Sequence, residues 1–283
     1  MRPRVILLLE RILRKVLREL FFRSPKNQGY DFLKAKHEWQ RIPVAEIGYL
    51  ESDALLRESD ETLRQLFETA ASKRYDPKGW RNYQNGLWEA SGIQEIKGKH
   101  VFDFGCGFGI DSFQFAKNQN TLSIADIVPS NVELTARVLK LYGYDPRQNI
   151  GVTDTYPFFE TREKFDLFFS NGVLHHTPKI REILLRAVEC LKPEGEIRLM
   201  LYSDIGWKIA TGSEIPDAKQ PVMENPHFCQ FVRFFDSVGN YADWYNEERL
   251  NLRIGDFLEI KKISYFTKDR RFLFAVLKPR KKS

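Results

Sequence analysis

Cysteine is scarce in this chain. Cys106, Cys190 and Cys229 are spread over 283 positions, too few and too scattered for a disulfide framework or a zinc site. A reducing cytoplasm is the compartment that fits, and no metal is expected. Long apolar runs are also lacking. The run at residues 5–9 stops at Glu10-Arg11, too short for a secretory leader and far too short for a bilayer span. Internal repeats and low-complexity segments are absent. Basic charge is missing from the body of the chain. Residues 1–26 hold eight Lys/Arg against two Glu, and residues 278–283 add four more basic groups. The formal net charge is +6, so the body between these ends nets −4. A mildly acidic body is a poor general nucleic-acid binder, and no nucleic-acid partner is expected.

What remains is an ordinary globular composition, 42% hydrophobic and 29% charged, of a length that suits one elaborated domain. Residues 4–22 read as a basic amphipathic helix. Val5, Leu8, Leu9, Ile12, Leu13, Val16, Leu17 and Leu20 recur at helical spacing opposite Arg4, Arg11, Arg14, Lys15 and Arg18. Such a helix suits an anionic membrane surface, and it equally suits packing on the body or on a second subunit. The expectation is a cytoplasmic protein with peripheral membrane contact through residues 1–22. Oligomeric state is open.

Ser24-Pro25-Lys26-Asn27 ends this segment. Residues 27–98 read as a helical extension, with Asp60 as a cap for a helix through Leu63, Leu66, Phe67 and Ala70 and a second helix over residues 80–90. Strand and helix patterns then alternate over residues 99–202. Strands are expected near 100–104, 122–126, 150–153, 165–170 and 195–202, and helices near 109–117, 130–142 and 179–191. The pattern predicts an α/β fold, a Rossmann-like, doubly wound and mostly parallel sheet. An aromatic-rich insertion at 203–256 follows, then a C-terminal antiparallel hairpin and basic tail at 257–283.

The chemistry-bearing run is Val101-Phe102-Asp103-Phe104-Gly105-Cys106-Gly107-Phe108-Gly109. It places a strand, an acid and a glycine-rich turn ahead of a helix, so that backbone can approach a ligand closely. The carboxylate of Asp103 repels a pyrophosphate and attracts a cation. Ile110 also stands where a dinucleotide fingerprint has its third glycine. Both features favour S-adenosylmethionine over a dinucleotide. Asp126 ends the second strand, 21 positions after Gly105, where a carboxylate can accept from both ribose hydroxyls. Its alternative is an N-cap of the next helix, for which Ser130 is better placed. Asp154 follows the third strand and can accept from an adenine amine; it can also be a plain turn aspartate. The fourth strand runs into Asn171-Gly172-Val173-Leu174-His175-His176-Thr177-Pro178, which should border the reacting centre. Adjacent histidines without a third ligand make a poor metal site. Each can be a base, or can cap and pack.

Phe102 to Gly109, Asp126, Asp154, Ser170 to Pro178 and Cys190-Leu191-Lys192-Pro193-Glu194-Gly195-Glu196-Ile197 together resemble the class I S-adenosylmethionine-dependent methyltransferases. The likeness is greatest to the small-molecule branch that includes quinone-biosynthesis methyltransferases. It spans residues 98–202 and the final hairpin. The resemblance implies that Asp103, Gly105, Cys106 and Gly107 hold the methionine part of the cofactor. It also implies that Asp126 holds the ribose, that Ile127, Asp154 and Thr155 border the adenine, and that Asn171 lies near the sulfonium. Glu194 departs from the usual glycine, in a loop expected away from the cofactor.

The function these readings imply is methyl transfer to a small, apolar or membrane-associated acceptor by in-line displacement, with His175 or His176 as base for an oxygen acceptor. Trp207, Phe228, Phe231, Phe234, Phe235, Tyr241, Trp244 and Tyr245 of the insertion can lid an acceptor pocket, or Phe231, Phe234 and Phe235 can be a buried helical stripe. Tyr75, Trp80, Tyr83 and Trp88 are further candidates. Competing readings are a soluble specialised metabolite or sugar as acceptor, a nucleotide-dependent oxidoreductase, and a non-catalytic cofactor-binding module.

Overall fold

In a computed structural model the described residues are 30–48, 50–146, 148–235 and 240–280, with backbone alone at 148–150. The basic amphipathic segment expected at 1–26 lies outside them. Runs that are buried throughout, such as His100–Phe104, suit a parallel sheet covered on both faces. The strands are β1 (His100–Phe104), β2 (Thr121–Asp126), β3 (Gln148–Gly151), β4 (Phe165–Asn171), β5 (Leu191–Tyr202), β6 (Leu258–Phe266) and β7 (Phe272–Pro279). They form one sheet in the order β3-β2-β1-β4-β5-β7-β6. β1 to β5 pair in parallel, and β7 runs antiparallel between β5 and β6. The order therefore reverses beside β1, where open α/β sheets bind their ligands.

Successive side chains on each strand face opposite layers. Val101, Leu167 and Phe169 join one core with Phe115, Trp207, Phe231 and Trp244. Phe102, Phe104 and Phe168 join the other with Leu184, Ala187 and Leu250. The covering helices are α1 (Phe32–Gln40), α2 (Ser52–Leu55), α3 (Asp60–Arg74), α4 (Gly86–Ser91), α5 (Ile110–Lys117), α6 (Pro129–Leu141), α7 (Ile180–Cys190), α8 (Asp204–Thr211), α9 (Phe228–Phe234) and α10 (Glu247–Ile254). The N-terminal extension packs on the same body: Val44, Leu55, Leu63 and Phe67 share a cluster with Phe108, Ile110, Leu134 and Val138.

Several expectations are corrected. The cap of α3 is Ser59, whose hydroxyl accepts the Thr62 amide at 3.1 Å; Asp60 instead pairs with Arg137. The helix expected from residue 80 begins at Gly86, because Gln84 and Asn85 adopt left-handed backbone with φ of 54° and 59°, which interrupts helical propagation. Trp80 and Tyr83 are consequently left at the surface. β5 starts at Leu191, so Glu194 sits in the exposed first half of a strand and not in a loop. Of the three phenylalanines read as a stripe, Phe231 and Phe235 are buried, whereas Phe234 is exposed.

The insertion is held by one buried ion pair. Arg249, wholly buried, donates to both oxygens of Asp243 at 2.8 and 3.1 Å and to the carbonyls of Ala218 and Gln220. Its guanidinium lies 4.5 Å from the Trp244 ring centre. The Asp243 amide donates to the His175 carbonyl at 2.8 Å, so this pair fixes the insertion over the loop after β4. Removing one partner leaves a buried charge uncompensated. Arg249→Ala should cost about 3–5 kcal/mol in urea unfolding, while replacing Arg249 and Asp243 together with apolar residues should cost less. A loss below about 1 kcal/mol for the single change would show that the pair does not anchor the insertion.

Candidate active site

β1 delivers its chain into Gly105 and Gly107, which adopt φ of +88° and +56°. A Cβ at Gly105 would collide with the Val173 side chain, and one at Gly107 with the Pro43 carbonyl oxygen. The turn is thus bare backbone pressed between the loop after β4 and the N-terminal extension, a situation open only to glycine. Its amides are held in place: Gly105 and Cys106 donate to the Ala125 carbonyl at 2.7 and 3.0 Å. Cys106 contributes backbone alone, because its side chain packs with Ile124, Val132 and Ala136. Burial drives its thiol well above the ordinary range, which makes it an inert cysteine.

Asp126 ends β2 beside this turn. One oxygen accepts the Gly107 amide at 3.0 Å, and the other accepts the Val128 amide at 2.9 Å and Asn131 Nδ2 at 3.1 Å. Asp126 thus holds the backbone at the start of α6 and faces the glycine turn. Ser130 does not cap α6, whose N-cap position is Val128 without a side-chain bond. A carboxylate offers about four acceptor directions, of which three are used here. Ile127 alongside is half-buried.

Asp103 is buried within β1 and accepts the Ser112 hydroxyl at 2.5 Å. Burial and the neighbouring charge of Asp111 push its carboxyl up to about 7, against the pull of Ser112. Burial likewise lifts Asp126 to about 6, against its three hydrogen bonds. Asn171, at the end of β4, donates to Asp111 at 2.8 Å, and its buried carbonyl oxygen has no partner.

Asp111 carries a cluster that sequence reasoning missed. It accepts Arg74 Nη1 at 3.1 Å and the Tyr75 hydroxyl. Arg74 also grips both oxygens of Glu46 at 2.7 and 3.1 Å, and Arg81 approaches Glu46 at 3.1 Å. Burial opposes ionisation of Glu46, yet the two guanidiniums outweigh it and hold the carboxyl down at about 2. Burial lowers Arg81. The one signal available was an acid at position 111 in the apolar-facing stripe of α5, beside buried Ile110, Ser112 and Phe115. Glu46 and Arg74 lie 28 residues apart, and no local pattern links them.

The histidines follow β4 in a short turn, both buried. His175 stacks on Tyr202 with ring centres 3.7 Å apart, and neither ring nitrogen has a hydrogen bond. Burial, with His176 adjacent, lowers its pKa well below the ordinary value. His176 directs Nδ1 at the Tyr241 carbonyl at 3.0 Å. A carbonyl only accepts, so the network assigns the proton to Nδ1 and a lone pair to Nε2. Tyr202 Oη stands 3.4 Å from that Nε2. Burial takes His176 down to about 4, so it is neutral at pH 7. Neither histidine caps α7; the Thr177 hydroxyl accepts the Lys179 amide instead.

Asp103, Gly105, Cys106, Gly107, Asp126 and Asn171 thus converge at the carboxyl edge of β1, β2 and β4. Asp154 and Thr155 lie one strand over, in the turn after β3, where Gly151 is level with Asp126. The Asp154 carbonyl accepts Lys179, and the Thr155 carbonyl accepts the Phe158 amide at 2.6 Å. The structure shows no bond from either to the glycine turn. Among the described residues no group of three His, Cys, Asp or Glu could hold a metal ion. A depression of about 420 Å³ beside Lys99, His100, Glu163 and Lys192 lies at the opposite, amino edge of the sheet, away from this chemistry.

Residues 102–197 match the family model described as a methyltransferase domain. Residues 102–197 thus carry a methyltransferase domain, within a sheet of the class I methyltransferase fold. No curated protein matches the chain. Among solved structures, an S-adenosylmethionine-dependent methyltransferase from Clostridium acetobutylicum aligns with a TM-score of 0.51 at 11% identity, over 76% of this chain and 98% of its own. Magnesium protoporphyrin IX methyltransferase from Synechocystis, solved with its cofactor bound, aligns at 0.51 and 12% identity, over 90% and 100%. Mitomycin 7-O-methyltransferase aligns at 0.51 and 14% identity, over 88% and 67%. At such identities the likeness is one of fold.

The methyltransferase site fits a cationic cofactor: a bare turn, two buried carboxylates and an unpartnered amide oxygen face one edge. Two outcomes follow. Gly107→Ala should weaken S-adenosylhomocysteine binding at least about tenfold by calorimetry, from backbone strain and the collision with Pro43. The raised carboxyls also set a sign. Positive charge nearby favours their ionised forms, so cofactor binding should release protons and strengthen as pH rises through about 6 to about 7. Calorimetry in buffers of different ionisation enthalpy measures this; proton uptake on binding would contradict it.

Proposed function

We propose that this methyltransferase alkylates a small apolar acceptor, drawn from a membrane, by in-line displacement. The observation that carries the reading is the aromatic lining of the sheet edge beyond Asn171. Tyr202 stacks on His175 at 3.7 Å and on Phe235 at 4.2 Å, and Trp39 lies 4.8 Å from His176. Tyr75 and Trp88 stack at 4.1 Å on the side of Asp111. Sites walled by aromatics with few polar groups suit apolar ligands and exclude water. The basic amphipathic segment at residues 1–22 supports contact with a membrane surface. Among the described residues no helix is long and apolar enough to cross one.

The bound cofactor supplies a methyl group already made electrophilic by its sulfonium. This chain's residues hold and align the reactants, a contribution of up to about 7–11 kcal/mol in favourable cases. In this reading Asp103, Gly105, Cys106 and Gly107 take the methionine part, and Asp126 takes the ribose. Ile127, Asp154 and Thr155 border the adenine, and the free oxygen of Asn171 accepts an N–H near the sulfonium. His176 presents a lone pair at Nε2 and orients an acceptor hydroxyl. Its low basicity means that it takes the proton only as the acceptor oxygen is methylated. His175, stacked and unbonded, shapes the wall.

Incubation with methyl-labelled cofactor and a whole-cell extract, followed by mass spectrometry, should place label in the organic-soluble fraction. Label confined to water-soluble products would overturn the apolar reading. With an oxygen acceptor, His176→Phe should lower kcat by about 10²-fold or more while S-adenosylhomocysteine affinity stays within about twofold. Unchanged turnover would remove His176 from the reaction.

A further inference from the structure

The turn of the β6–β7 hairpin lies at the same carboxyl edge as the aromatic wall, because Phe272 opens β7 opposite Tyr202 at the end of β5. Two other surface segments meet it there. The loop before α4 approaches through Trp80, whose ring centre is 5.3 Å from that of Phe272, and through Gly86, which packs against Phe266 and Thr267. The end of α9 approaches through Phe234, which lies 5.4 Å from the Arg271 guanidinium and 5.1 Å from Phe235. Trp80, Tyr83 and Phe234 are 55%, 42% and 42% exposed. Trp80 and Phe234, open to solvent where both meet the same hairpin turn, with exposed Tyr83 three residues from Trp80, are a costly arrangement without a partner.

Charge says what partner fits. Over residues 76–85, 233–234 and 267–271 there are six Lys/Arg and two Asp, in a body that nets −4; Arg81 pairs with Glu46 and Arg271 with Asp269, which leaves four basic groups facing solvent. Lys78, Arg233, Lys268 and Arg270 are exposed. Local basicity on an acidic body, interleaved with Trp, Tyr and Phe, matches an anionic lipid interface, where aromatic rings sit at headgroup depth and each basic group adds attraction. The chain itself points to this side. Tyr30, where the described residues begin, packs on Tyr241, and the Asp31 carbonyl accepts from Asn240. Residues 30–31 therefore sit beside residues 240–241, close in sequence to Phe234. We infer that Trp80, Tyr83 and Phe234, with Lys78, Lys268 and Arg270, form a second docking surface for an anionic bilayer, independent of the segment at 1–22. Its position gives it a purpose that rests on the apolar-acceptor reading. Contacts run from Trp80 to Phe272, on to Tyr202 at 5.6 Å and then to His175, so the face closes directly over the aromatic wall.

The test uses the full chain and pelleting with phosphatidylcholine vesicles, with and without phosphatidylglycerol. Trp80→Ser with Phe234→Ser, and separately Lys268→Glu with Arg270→Glu, should each weaken partition onto the mixed vesicles at least about tenfold. S-adenosylhomocysteine affinity, the control for folding, should not change. Leu9→Glu with Leu13→Glu, which disables the amphipathic segment, should leave residual binding that the patch changes remove. Lipids brominated in the acyl chain should quench wild-type tryptophan fluorescence more than that of Trp80→Phe. The proposal is overturned if the patch variants bind vesicles as wild type does, or if they shift only the oligomeric state in sedimentation. Vesicle binding that persists while methyl label stays in water-soluble products would keep the surface and remove the acceptor reading.

Discussion

The site depends on one carboxylate at the point where strand order reverses. Asp126 gathers the Gly107 amide, the Val128 amide and the Asn131 side chain onto two oxygens, and so fastens the turn after β1 to the start of α6. Asn131 in turn accepts the Ser52 hydroxyl from the N-terminal extension. The group proposed to receive the ribose is therefore also the group that shapes the turn proposed to receive the methionine part. Burial makes its ionisation costly, and a cationic ligand would offset that cost. A site with two raised carboxyls is electrostatically incomplete by itself, and its missing charge has the sign of a sulfonium and an ammonium.

A second constraint acts from outside the sheet. Glu46, on the loop before α2, is clasped by Arg74 and Arg81, and Arg74 reaches on to Asp111 beside the glycine turn. The same loop lays the Pro43 carbonyl against Gly107. The extension is thus a wall of the glycine turn, the proposed cofactor site, and not an appendage. With its charges paired, the cluster is tolerable in a dry interior; losing one of the charged members would strand another.

Legibility from sequence tracked the range of the interaction. β1, β2 and β4 were readable because runs such as Val101 to Phe104 have few other fates, and the Asp103, glycine-turn and Asp126 spacing is local to one βαβ unit. The hairpin too was readable, from two β-rich runs and a four-residue link. The Ser59 cap was missed by one residue, since Ser59 and Asp60 are both good caps and only the backbone at the first turn separates them. The start of α4 was missed because left-handed Gln84 and Asn85 leave little trace in an otherwise helical pattern. Arg74, Glu46 and Asp111 stayed invisible because their pairing is tertiary. The histidine pair was visible as a motif, but which imidazole presents a lone pair depends on the Tyr241 carbonyl, 65 residues away.

The two halves of the sheet edge carry opposite chemistry, and their adjacency is what links them to methyl transfer. On the β2–β1–β4 side the walls are carboxylates and bare backbone, suited to a charged cofactor. On the β5–β7 side they are Tyr202, Phe235 and Phe272, stacked, tilted or edge-on within 6 Å of one another. A reaction that moves a methyl group from a cation to an uncharged acceptor needs both environments in contact, with water absent between them. Asn171 and the two histidines mark that seam, since β4, which ends at Asn171 and leads into the histidine turn, lies between β1 and β5. The unpartnered nitrogens of His175 and oxygen of Asn171 are costly to bury without bonds. They make physical sense in a seam that two ligands complete.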